Sequence, residues 1–273
     1  MAGVIVGSYS GVNKNARLVS VRRGSTIFSV VQSTMHALDY HLAAGGGLPG
    51  ILNLSLRCEF RAGPTAGVVF PATDPWPRVL SFVEGANMVV TSAAGNEAGF
   101  RIAESSPQKY GDRASVIVVG NCDKDGFRDA DSTFRDDDNV DRLTLYAPGT
   151  DMFAPDIGGD NLYDWIDGTS PATALVSGVL SLLFAQTALD ASQIKARLVQ
   201  ESVALKGLAI WPGDHNGVPH PRVALPAPYV STCDLGTGPA PTATLKEYAN
   251  LGLCTANADA LTVTPAASIA TVR

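Results

Sequence analysis

Residues 1–225 predict an α/β fold, a mainly parallel sheet with helices on both faces, followed by an extension over 226–273. Three observations predict it. Short β runs alternate with helical patterns along the chain, which is the order of β-α-β units. The β runs are apolar throughout, as strands covered on both faces must be. And 273 residues at 45% hydrophobic and 17% charged, with 27 glycines, suit one large α/β domain or two small ones with a buried sheet.

The elements follow in order. "ARLVSVRR" (16–23) predicts the first strand. Over 25–46, Ile27, Val30, Val31, Met35, Leu38 and Leu42 recur at helical spacing, and a glycine run ends that helix. "GILNLSL" (50–56) predicts the next strand. A proline-broken segment then leads to a helix near 78–87. "MVVTSAA" (88–94) is a strand closed by a Gly-Asn turn; "ASVIVVGNC" (114–122) and "RLTLYAPG" (142–149) are two more. Two helices complete the compact part: one opened by Thr169–Ser170, the other over 190–202 with Asp190 as N-cap and Gln193 three residues on. From about 225 the chain turns to Pro, Ala and Thr, as a tail or a loosely docked extension does.

Charge and composition exclude several function classes. The net charge is -6 and the pI about 5.1, with no basic tract, so nucleic acid is not an expected partner. No apolar run reaches the roughly 18 residues of a membrane span, so no membrane partner is expected. The opening "MAGVIVGSYSG" lacks the basic start and apolar length of a signal peptide. Cys58, Cys122, Cys233 and Cys254 show no CxxC spacing, so zinc is not expected; they suffice for up to two disulfides in an oxidising compartment. "FRDDDNVDR" (134–142) is expected to be a solvated acidic loop rather than a calcium site, and "DKDG" (123–126) a turn. No metal or cofactor is expected.

The chemistry centres on "DGTSPATALVSGVLSLL" (167–183). A serine at a helix start sits among unpaired backbone N–H groups at the positive end of the helix dipole. Both favour an oxyanion forming beside its oxygen. Gly168 allows close approach of a substrate backbone, and Pro171 costs no hydrogen bond so near the N-terminus. Taken alone, the stretch reads first as an N-cap. "TSAAGNEAG" (91–99) alone is a strand-ending turn, and "ILNLSL" (51–56) a buried strand ending in a small polar residue.

Together, in this order and with these flanks, the three resemble the subtilisin-like serine proteases. The resemblance rests on Asn53-Leu54-Ser55-Leu56, Ala93-Ala94-Gly95-Asn96 and Gly168-Thr169-Ser170-Pro171-Ala172, and extends through "NARLVSVRR", "ASVIVVG", "LYAPGTDMFAP" and "ALVSGVLSLL", roughly residues 1 to 200. It implies Ser170 as nucleophile and Asn96 as oxyanion-hole donor. It also implies a substrate cleft lined by Ser55, Leu56, Ala93, Gly95 and Thr169, a peptide or protein substrate, and an extracellular location.

The family's histidine turn opens a helix that "MAGVIVGSYSG" resembles in its continuation. Its histidine is therefore expected just before Met1 and its aspartate on a strand further upstream. The expected fold is a subtilisin-like sheet lacking its N-terminal strand and catalytic-His turn. His36, His41, His215 and His220 do not match the family's position. Where the family has glycine after Ser55-Leu56, this chain has Arg57, which either crowds the substrate edge or favours acidic substrate residues. The alternative to a peptidase inactive in this form is a non-catalytic peptide- or partner-binding chain. A third alternative, an α/β-hydrolase using Ser170 and His215, requires G-x-S-x-G, and position 172 is alanine.

Overall fold

The computed structural model describes residues 1–8, 10–59, 74–134, 140–159, 162–204 and 221–223. The acidic run at 135–139, His215, His220, Cys233, Cys254 and the whole of the 226–273 extension lie outside the described residues. In chain order the elements are α1 (Ala2–Val6), α2 (Ile27–Ala44), β1 (Gly50–Leu54), β2 (Cys58–Glu59), α3 (Trp76–Gly85), β3 (Met88–Ala93), β4 (Ser105–Ser106) and β5 (Val116–Cys122). Then come β6 (Leu145–Pro148), β7 (Met152–Pro155), β8 (Tyr163–Ile166), α4 (Thr169–Gln186), α5 (Ala191–Glu201), β9 (Val203–Ala204) and β10 (Pro221–Arg222).

The main sheet has the order β1-β3-β5-β6-β10-β9, with β1, β3, β5, β6 and β10 running parallel and β9 antiparallel to β10. Strand parity divides the core in two. Val89, Ile117, Val119, Leu145 and Ala147 face α1, α4 and α5. Met88, Val90, Val116, Val118 and Tyr146 face α2 and α3. Alternate side chains of one strand point to opposite faces, so a sheet with helices on both sides needs apolar residues at every position. Every residue of β3 and β5 is buried. Each fully buried Val or Leu contributes about 1.5–3 kcal/mol of transfer free energy.

The helix ends obey the capping chemistry. Thr26 caps α2 by accepting from the Ser29 N–H, with the Ser29 hydroxyl returning the bond. Asp190 caps α5 through the Ser192 and Gln193 N–H groups, and Gln193 reaches back to the Asp190 N–H, as expected. The helix α4 is long and apolar enough to cross a bilayer, yet 72% of it is buried inside the fold, against β1, β3, β5 and β6. Its length belongs to the core. The "DKDG" segment is a turn: Gly126 N–H donates to the Asp123 carbonyl, and the Asp123 carboxylate accepts from Phe127 N–H.

One expectation is corrected, and one element was not foreseen. Residues 17–24 form no strand; they run without secondary structure, and Leu18 and Val19 are both 44% exposed. A strand needs a neighbour to complete its ladder, and among the described residues none pairs with this segment. The strands β7 and β8 pair antiparallel, with Phe153 stacked on Tyr163 at 5.1 Å, which the apolar pattern did not indicate.

Candidate active site

The parallel strands β1 and β3 end side by side in register, Leu54 opposite Ser92. Ligands in such sheets bind beyond the carboxyl ends of the strands. There the chain leaves β1 through Ser55-Leu56-Arg57 and β3 through Ala94-Gly95-Asn96, and the N-terminus of α4 meets both exits.

The contact with the first exit is reciprocal. Ser55 Oγ donates to the Ser170 carbonyl at 2.9 Å, and Ser170 Oγ donates to the Ser55 carbonyl at 3.3 Å. The contact with the second exit runs through Asn96. Its Oδ1 accepts from both the N–H and the hydroxyl of Thr169, each at 2.8 Å. The Thr169 Oγ1 in turn accepts from Gly95 N–H at 3.2 Å. With Oδ1 committed to Thr169, the amide nitrogen lies against Gly168. A side chain at 168 would put its Cβ 2.8 Å from that nitrogen, and the backbone there has φ of 117°. Glycine answers both demands.

The expected site residues Ser170, Thr169, Asn96, Gly95 and Ser55 are thus joined by hydrogen bonds. Leu56 and Ala93 join them through Gln108, which sequence reasoning missed. The Gln108 amide donates to the Leu56 carbonyl at 2.9 Å and to the Ala93 carbonyl at 2.8 Å, tying the two exits together from below. Nothing local in "SSPQKY" marks that role, because it depends on two carbonyls brought together by the sheet.

A second missed group anchors α4. Ser177, one helix face below Ser170, donates to Asn53 Oδ1 at 2.9 Å and shares a 2.6 Å hydrogen bond with Thr91. Asn53 Nδ2 donates to Ser55 Oγ at 3.0 Å. A polar ladder therefore runs from the core to the Ser170 turn. Its one available signal, a serine within a largely apolar helix, was shared with Thr173 and Ser181.

Other reactive groups are held inert. Burial pushes the Cys58 thiol up to about 11, although Arg23 pulls it down, and pushes Cys122 up to about 12. Both are free thiols, protonated at neutral pH. His36 and His41 both lie on α2, and among the described residues no histidine hydrogen-bonds Ser170. Chemically, the turn presents a partly exposed hydroxyl at the positive end of an 18-residue helix, beside a carboxamide fixed by its oxygen.

Residues 1–222 match the model of the subtilase family. Among curated proteins the chain is 31% identical over 215 residues to an alkaline proteinase of Hapsidospora chrysogena, covering 78% of this chain and 48% of the relative. It is 25% identical over 233 residues to an alkaline extracellular protease of Yarrowia lipolytica, covering 82% and 48%. It is 28% identical over 217 residues to the subtilisin-like proteinase Mp1 of Magnaporthiopsis poae, covering 72% and 47%. The chain spans about half the length of these curated relatives. Among solved structures, a cold-adapted subtilisin-like serine proteinase superposes with a TM-score of 0.62 at 24% identity, over 83% of this chain and 73% of that one. The prenylagaramide maturation protease PagA gives 0.60 at 20% identity, over 82% and 78%. At these identities the two structures speak for the fold alone.

Proposed function

Because this chain belongs to the subtilase family, we propose that it is the nucleophile-bearing part of a serine endopeptidase, with Ser170 attacking the scissile carbonyl. The observation that carries this reading is the pair of bonds from Thr169 to Asn96 Oδ1, which fix the Asn96 amide beside the Ser170 turn at the carboxyl ends of β1 and β3.

In the proposed reaction the Ser170 oxygen forms the bond to the substrate carbonyl carbon as its proton passes to a base. The carbonyl oxygen becomes an oxyanion that accepts from Asn96 Nδ2 and the Ser170 N–H. Collapse releases the amine, which takes the proton from the base, and leaves the acyl group on Ser170. Water then repeats the sequence and frees the acid. Ser55, Leu56, Ala93, Gly95 and Thr169 line the cleft. The base is proposed to be a histidine from a segment preceding residue 1, held by an aspartate further upstream. The name of the Yarrowia lipolytica relative, an alkaline extracellular protease, supports an extracellular setting.

The test is active-site labelling. A fluorophosphonate should modify Ser170 slowly in the chain alone and much faster once an upstream segment carrying the histidine and aspartate is added, as located by mass spectrometry. Equal, slow labelling with and without that segment would favour the non-catalytic peptide-binding alternative.

A further inference from the structure

Arg57 occupies the space between the two strand exits. Its guanidinium lies directly against Gly95: a Cβ at that glycine would run into Nη1. It pairs with the Glu97 carboxylate and covers the Phe100 ring, 4.8 Å from its centroid. The side chain therefore crosses from the 55–57 wall to the 95–97 wall. That second wall is held firmly, with Thr133 N–H donating to the Gly95 carbonyl at 2.9 Å and Thr133 Oγ1 donating to the Glu97 carbonyl at 2.8 Å. The floor is the Gln108 bridge between Leu56 and Ala93.

A carbonyl carbon bonded to Ser170 Oγ, with its oxygen toward Asn96, directs the side chain of the same residue into this slot. We propose that Arg57 makes the slot a short, guanidinium-backed pocket that selects peptides with an acidic side chain on the acyl residue. This rests on the peptidase reading of Ser170 and adds the substrate class.

Two features support the choice. The length of a large apolar side chain is already taken by Arg57, which is mostly buried, with 11% of its side chain exposed. Glu97, a carboxylate that Arg57 pairs with, is 50% exposed and therefore replaceable. A substrate carboxylate exchanges with Glu97 for the guanidinium while Glu97 returns to water, so the buried charge is never left unpaired. An apolar side chain offers no such exchange. A cationic one meets Arg57 head on.

The experiment is calorimetric titration of the chain completed with the upstream histidine and aspartate segment, using four-residue peptide aldehydes, Ala-Ala-Ala-Xaa, where Xaa is Asp, Leu or Lys. The aldehyde forms a hemiacetal by addition of the Ser170 hydroxyl, whose proton ends on the new hydroxyl. The Asp aldehyde should bind at least tenfold more tightly than the Leu or Lys aldehyde. Glu97→Gln should tighten the Asp aldehyde further, by severalfold, and leave Leu unchanged. Arg57→Gly should reverse the preference to Leu.

A Leu aldehyde equal to or better than Asp on the completed chain overturns the proposal, and so does an Arg57→Gly chain with an unaltered ratio. If Arg57→Gly fails to fold, the native ratio and Glu97→Gln decide. If no aldehyde binds the completed chain, the peptidase reading fails and this inference falls with it. Binding with the wrong preference defeats the inference alone.

Discussion

Asn96 turns its accepting oxygen to Thr169, which leaves its amide hydrogens to donate on the other side. In the enzyme completed with its upstream segment, Asn96→Ala should lower kcat on a peptide ester by on the order of a hundred- to a thousandfold. That size is carried over from subtilisin's own oxyanion asparagine rather than derived from this chain. KM should move little, because the bond matters only once the carbonyl becomes an oxyanion. A second residue-scale prediction concerns Asp74. Burial would raise its carboxyl, but hydrogen bonds from Lys109, Tyr110 and the Trp76 N–H hold it below its ordinary value of 3.8. Its stabilisation is therefore complete above that value and is lost as pH falls through the lower folded-state value. Asp74→Asn should destabilise the fold by about 1–3 kcal/mol near neutral pH by urea unfolding, with the gap to the native chain narrowing below about pH 4. Ser170 and Asn96 were legible because their motifs are local. Gln108 and Asp74 were not, since each acts on groups far away in the chain.

The helix α4 links the site to the core through Ser177. Ser177→Ala leaves Asn53 Oδ1 and Thr91 Oγ1 without their shared partner under a buried helix. A loss of about 1–3 kcal/mol in unfolding free energy is expected. Breaking the polar ladder also loosens the Ser55–Ser170 contact, so labelling of Ser170 in the completed enzyme should slow as well. Unaltered stability would show that the ladder carries no energy. At this scale the sequence told strands from helices well. The strands β1, β3, β5 and β6 and helices α2, α3, α4 and α5 follow from apolar runs and helical periodicity, and each cap at α2 and α5 is made by its own sequence neighbours. The failure over 16–23 has a physical cause. Its composition favours a strand, but a strand is a relation between two segments, and one segment does not reveal whether the other is there.

The whole molecule has the architecture of a doubly covered parallel sheet, with β1 at one edge of the described strands. Residues 50–53 of that edge are only partly buried, although they continue the apolar pattern of the central strands. An exposed parallel edge invites pairing with other chains. The 273-residue chain alone is therefore expected to be poorly soluble or partly unfolded, and a cooperative thermal transition from a soluble monomer would argue for a self-sufficient fold. Sequence reasoning reached this scale only through the ordered motifs; periodicity alone gave layers, not strand order.

The central claim is that Ser170 is a nucleophile whose base comes from outside these residues. The most direct measurement is turnover of a peptide ester by the chain alone and by the chain joined to, or mixed with, the upstream histidine and aspartate segments, each with its Ser170→Ala counterpart. The account predicts no turnover above background from the chain alone, and turnover in the completed enzyme that Ser170→Ala abolishes. If the 273-residue chain alone turns over the ester and Ser170→Ala removes that turnover, the base lies within these residues, His215 is the first to mutate, and the claim is contradicted.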